Sequence, residues 1–255
     1  MKKQLLIGLL LTTSIVLQIK SVNAQTNQDL YNQGMKLKAE YHNKEAFTIF
    51  KKLLKSDSNN VNYLQYGSDL YSKVGHEQSP ESAQMVYYKT AEYLALKAIK
   101  LNDKSADAHY AYALALWRLN EHAGNKQKIA YAKLIKSEVD TTIMLNPNHA
   151  GAYHILGRWN RTIAEYNSFE KMAIHTLYGG LPTGTYEAAV AAFKKAVSLE
   201  PNYMLHQYEL AVTYHEMGRD AEAKVWLQHV LTMPVTNDDD KATYAKSEAL
   251  LKKIN

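Results

Sequence analysis

Residues 147–201, PNHAGAYHILGRWNRTIAEYNSFEKMAIHTLYGGLPTGTYEAAVAAFKKAVSLEP, decide the fold. Near the end of this stretch Ala189 and Ala196 stand seven residues apart, so they share one helical face and let a second helix approach closely. Phe193 lies between them to fill the gap, and Pro201 after Leu199 and Glu200 stops the helix. Leu156 and Gly157 near the start belong to the partner helix. A single helical hairpin cannot bury its apolar face alone, so the same anchors must recur along the chain.

They recur at about the spacing of tetratricopeptide repeats. A first unit over 27–60 carries Leu30, Gly34, Ala46 and Phe50. A second over 61–105 carries Leu64, Gly67, Ala91, Ala95 and Ala98, with about eleven extra residues and a loop expected at Gly75 to Gln78. The third, over 106–149, has about ten extra residues near Asn120 to Gln127 and Thr142 where alanine is expected. The fourth, over 150–203, holds about twenty between Arg161 and Gly180, where Ala173, Ile174 and Leu177 predict an added helix closed by Gly179 and Gly180. The fifth spans 204–236, and Asn237 with three aspartates starts a capping helix over 238–253. The prediction is an all-α solenoid of tetratricopeptide-like hairpins, one domain over 25–255, with inserted helices and a C-terminal cap.

Residues 1–24 read as a secretory signal: Lys2 and Lys3 open it, Leu5 to Ile19 is mostly apolar, and Val22-Asn23-Ala24 offers small residues for cleavage. The expected chain is therefore exported, periplasmic or secreted, with no integral membrane span after cleavage. Three of the 30 basic side chains (Lys2, Lys3, Lys20) fall in that segment, which leaves 27 against 25 acidic ones. So small a surplus is no nucleic-acid footprint. The sequence has no cysteine, hence no disulfide and no thiolate chemistry.

The segment from Asn146 to Ala249 is similar to the regulator of microtubule dynamics family. It carries His154, Leu156, Gly157, Arg158 and Trp159, then Gly179, Gly180, Pro182, Thr183 and Tyr186 at a similar distance. The resemblance implies a tetratricopeptide-like fold, association with microtubules and, for some members, lipid binding.

The sequence carries no catalytic constellation. The ten histidines form no His-Glu-x-x-His pattern; His149 with His154, and His206 with Glu209, lack further ligands, so no metal site and no cofactor are expected. Gly179 to Thr185 lacks the lysine of a phosphate loop and reads as a turn that delivers Thr185 as a helix cap. No catalytic residue and no enzyme are predicted.

A binding surface is the better expectation. Positions on the first helix of each hairpin place Tyr31, Asn62, Gln65, Tyr110, Trp117, Arg118, His154, Arg158, Arg161, Tyr208 and His215 along one concave groove. Arginines among aromatics suit a carboxylate or phosphate. The alternative use of these side chains is packing for Trp117 and Trp159 and ion pairing for the arginines, with Glu165 as one partner. Two functions follow from the groove: capture of a protein or peptide partner, or carriage of an amphiphile such as a phospholipid, with the insertion after Arg161 as a lid.

Overall fold

The computed structural model describes residues 27–255; the expected signal segment, 1–24, lies outside the described residues. These residues form twelve helices and no strand. In order they are α1 (27–39), α2 (Asn43–Ser56), α3 (Val61–Gly75), α4 (Glu81–Leu101), α5 (Ala106–Glu121), α6 (Asn125–Leu145), α7 (Ala150–Glu165), α8 (Ser168–Tyr178), α9 (Tyr186–Leu199), α10 (Met204–Glu216), α11 (Asp220–Thr232) and α12 (Asp238–Ile254). The all-α, tetratricopeptide-like class is what the anchors imply.

Within the array, α3 touches α5, α5 touches α7 and α7 touches α10. Among the described residues the second helices α4, α6, α9 and α11 make no such contact with one another. One layer is therefore continuous and the other splayed, which curves the stack with the first helices inside. The core is divided accordingly. Phe47, Phe50 and Leu53 fill one cluster; Leu64, Leu94 and Ala98 the next. Trp117, Ile135, Val139 and Trp159 make a third; Ala189, Phe193, Leu210 and Tyr214 a fourth.

Most extra residues of the second and third hairpins are helix, not loop. They lengthen α4 and α6 to 21 residues each, and only short connections remain at 76–80 and 122–124. Thr142 is fully buried at the alanine position and stays satisfied, because its hydroxyl donates to the Glu138 carbonyl at 2.8 Å. Helix ends follow the sequence: the Thr185 hydroxyl accepts from the Ala188 amide, Asn237 accepts from Asp240, and Gly179 closes α8 in the left-handed region at φ 71°.

The two ends of the array meet. The Tyr41 ring, between α1 and α2, stacks on Tyr203, between α9 and α10, with centroids 4.3 Å apart and planes 8° from parallel. Its hydroxyl donates to Glu200 at 3.3 Å. Beside it Asn43 donates to Asp239 at 2.8 Å, and Lys44 bridges Glu77 and Asp238 at 2.8 and 3.0 Å. The curvature therefore closes the solenoid on itself.

Close approach of α7 to α9 depends on Gly157, since a Cβ there would lie 2.7 Å from the buried Phe193 ring. Gly157→Val is expected to cost roughly 1–3 kcal/mol through overpacking, read as a lowered melting temperature. An unchanged melt would contradict this packing.

Candidate functional site

The inner layer, α1, α3, α5, α7 and α10, carries an unusual number of charged groups with little water around them. Asp69 on α3 is 2% exposed and sits between Lys38 of α1 at 3.1 Å and Lys73 at 3.2 Å. Burial opposes its charge, but the two ammonium groups hold its carboxyl below the usual range.

Arg161 of α7 is similarly pinned. Its Nη2 donates to Glu209 at 2.6 Å, its Nη1 to the Glu209 carbonyl at 3.1 Å and to Thr213 at 3.3 Å, and its Nε faces Glu216 at 3.2 Å. Burial works against this guanidinium, yet Glu209 and Glu216 keep its pKa above the ordinary value. Arg158, one turn earlier, is different: its guanidinium lies 4.5 Å over the Trp117 ring and its Nε is 3.9 Å from the nearest Glu209 oxygen. Arg118 on α5 reaches His76 at 3.4 Å and Glu121 at 3.6 Å.

His154 meets His206 nitrogen to nitrogen, Nδ1 to Nδ1, at 2.9 Å, and His206 Nε2 is 3.2 Å from Glu200. The network is satisfied when His154 carries its proton on Nδ1 and His206 on Nε2. Burial, then the facing His206 and the charges of Arg158 and Arg161, hold His154 well below the ordinary imidazole pKa. Tyr203 packs edge-on to His206 at 4.7 Å, so this pair adjoins the closure at Tyr41.

The expected groove is thus only partly one surface. Trp117, Arg118 and Arg158 come together, and Arg161 and His154 lie along α7 with them. Tyr110 packs against His149 at 4.4 Å, and Gly151 leaves room for its ring. Tyr208 is half-buried on α10, its hydroxyl pushed up by burial and by Glu209. His215 is taken by Asp220 at 2.6 Å, in the turn of its own hairpin. Toward the first hairpin, Tyr31 joins Phe50, Tyr63 and Tyr66 in an aromatic cluster, Gln65 bonds Ser105, and Asn62 is exposed. Glu209 and Glu216, not Glu165, answer Arg161. Glu209 was legible only as a carboxylate in register with His206 and Thr213 on one face of α10.

A cavity of about 240 Å³ opens at the closure, lined by Tyr41, Asn43, Lys44, Glu77, Asp238 and Asp239. A second, of about 170 Å³, lies beside Trp117, Asn120, Trp159 and Tyr166. Helix α8, expected as a lid, packs on the outer helix α6, where Lys133 donates to the Tyr178 carbonyl at 2.7 Å. Among the described residues no group of three or more His, Asp or Glu is placed to hold a metal ion, and no helix is long and apolar enough to cross a membrane.

The family model described as "Regulator of microtubule dynamics protein 1-3" matches residues 26–255. The chain belongs to the regulator of microtubule dynamics family. Regulator of microtubule dynamics protein 1 of Pongo abelii is 32% identical over 174 residues, 68% of this chain and 55% of the relative. Protein 3 of Mus musculus is 30% identical over 171 residues, 66% of this chain and 36% of the relative. The chain thus spans about half or less of the length of these relatives. A thermophilic tetratricopeptide-repeat protein of Thermus thermophilus superposes with a TM-score of 0.62 at 19% identity, over 88% of this chain and 99% of that one, a likeness of fold.

Two outcomes follow. His154 resists protonation when folded, so the unfolded chain binds more protons as pH falls below about 6.5, and stability is present above that pH and lost below it. Melting temperature is expected to fall between pH 7.5 and 5.5, with a shallower slope in His154→Gln; an identical slope would remove His154 from the cause. Glu209→Ala, which strips Arg161 of its nearest carboxylate, is expected to cost about 3 kcal/mol or more in denaturant unfolding.

Proposed function

We propose that this chain is a non-enzymatic protein-interaction module whose inner face takes a protein or peptide partner. The supporting observation is the tetratricopeptide-like array itself, whose layer of first helices carries Arg118, Arg158 and Tyr208 with part of each side chain still exposed. Rigid helices with aromatic and guanidinium groups supply contact area and directed hydrogen bonds at low entropic cost. The test is a photo-crosslinking residue at Tyr208 on the inner layer against one at the exposed Met144 on the outer layer. Discrete partner adducts from position 208 and none from 144 support the reading; equal patterns from both sides contradict it.

A second reading rests on family membership: a regulator acting on microtubules, as the names of the relatives state for those proteins. Pelleting of the purified chain with polymerised microtubules would support it, and a chain left wholly in the supernatant would contradict it. The composition of residues 1–24 supports export instead, to a periplasm or outside the cell. Export is tested by the N-terminal residue of the native protein, Gln25 if the segment is removed. Carriage of an amphiphile has no comparable support. The larger cavity is walled by Lys44, Glu77, Asp238 and Asp239, and α8 leans on α6.

A further inference from the structure

Two guanidinium groups of the inner layer keep a buried Nε with no hydrogen-bond partner within the protein. Arg161 commits every nitrogen of its fork to Glu209, Thr213 and Glu216. Arg158 does not: its Nε is buried without a partner, and the 3.9 Å to Glu209 exceeds a hydrogen bond. Arg118 likewise keeps a buried, unpartnered Nε, with Glu121 at 3.6 Å. The Tyr88 hydroxyl and the Trp117 indole N–H are buried and unpartnered as well, on side chains 0% and 8% exposed. All four can donate; the one unpartnered acceptor nearby in sequence is Asn120 Oδ1.

What this corner lacks is an acceptor with several lone pairs and a negative charge. The charges acting on Arg158 are those of Arg118 and Arg161 against Glu121 and Glu209, three guanidinium groups with two carboxylates. The balance there is one positive charge. Consistent with that, Arg118 first and burial second depress the His76 pKa, and burial followed by Arg118 depresses that of Arg158. A planar carboxylate matches the edge of a guanidinium bidentately. A phosphate dianion would meet Glu121 and Glu209 with twice the charge, which disfavours it here. With side chains 16% and 29% exposed, Arg118 and Arg158 remain reachable from solvent.

We propose that Arg118 and Arg158, the latter lying over the Trp117 ring, bind a carboxylate of an acidic peptide segment. This rests on the reading of the inner face as a partner surface and names the chemistry of that partner.

The test titrates hexaglutamate into the full chain and follows the tryptophan indole N–H signals by NMR. Trp117 carries Arg158 on its ring, whereas the Trp159 indole is tied to the Ala132 carbonyl at 2.8 Å and serves as the internal reference. The Trp117 signal, assigned by its loss in Trp117→Phe, is expected to move saturably while that of Trp159 stays. Affinity is expected to fall about tenfold or more in Arg158→Gln and in Arg118→Gln, to weaken with salt, and to be absent for hexalysine. Should a variant fail to fold, the wild-type titration still decides. A Trp117 signal unmoved by hexaglutamate, equal binding by a folded Arg158→Gln chain, or equal binding of inorganic phosphate would each overturn the proposal. If position 208 still crosslinks a partner when hexaglutamate does not bind, the partner surface stands and only the acidic-peptide assignment falls.

Discussion

The stacking of Tyr41 on Tyr203, across 162 positions of chain, turns an array that would have two open ends into one whose ends touch. A repeat protein ordinarily makes contacts only between neighbours. Here the first hairpin also meets the loop after α9 and the start of α12, through Glu200, Asp238 and Asp239. Tyr41 holds this position in the left-handed backbone region, at φ 59°, a conformation that costs a non-glycine residue on the order of 1 kcal/mol and persists where surrounding contacts fix it. An aromatic pair returns a similar amount. Closure thus depends on several modest contacts acting together.

Enclosure explains the electrostatics of the inner layer. Water is scarce there, so burial raises the Tyr110 and Tyr203 hydroxyl pKa values well above the ordinary phenol range and depresses that of His154. Each buried charge then needs a specific partner: Lys38 and Lys73 flank Asp69, and Arg161 takes Glu209 and Glu216. Such pairs contribute less to stability than to fixing one arrangement, because desolvation offsets much of their attraction. Arg118 and Arg158 depart from that rule, each keeping a buried Nε without a hydrogen-bond partner.

The fold class was legible because close helix packing demands small residues at fixed intervals. Ala189, Ala196 and Gly157 announce it, with Phe193 as the side chain they accommodate. Caps were legible for the same local reason, as Thr185, Asn237 and Gly179 show. Length differences were visible, but not their form. Nothing local decides whether ten residues extend α6 by turns or make a loop, and neighbouring packing settled it. Closure was illegible, since it sums small rotations over the whole array. Without closure, the inner residues read as an open groove, and the roles of Tyr41, Tyr203 and Glu200 had no signal. The partners of Arg161 were missed because Glu209 and Glu216 lie a full hairpin away in sequence, whereas Glu165 lies one turn away.

Within the regulator of microtubule dynamics family this chain covers 55% of one relative and 36% of another. The closure of the array is directly measurable, because the sequence has no cysteine. Glu45→Cys on α2 and Lys241→Cys on α12, both at exposed positions, give a doubly spin-labelled chain. Pulsed electron–electron double resonance is expected to return a single short, narrow distance. A broad distribution centred on long distances would contradict the account, because it would describe an open array whose ends do not meet.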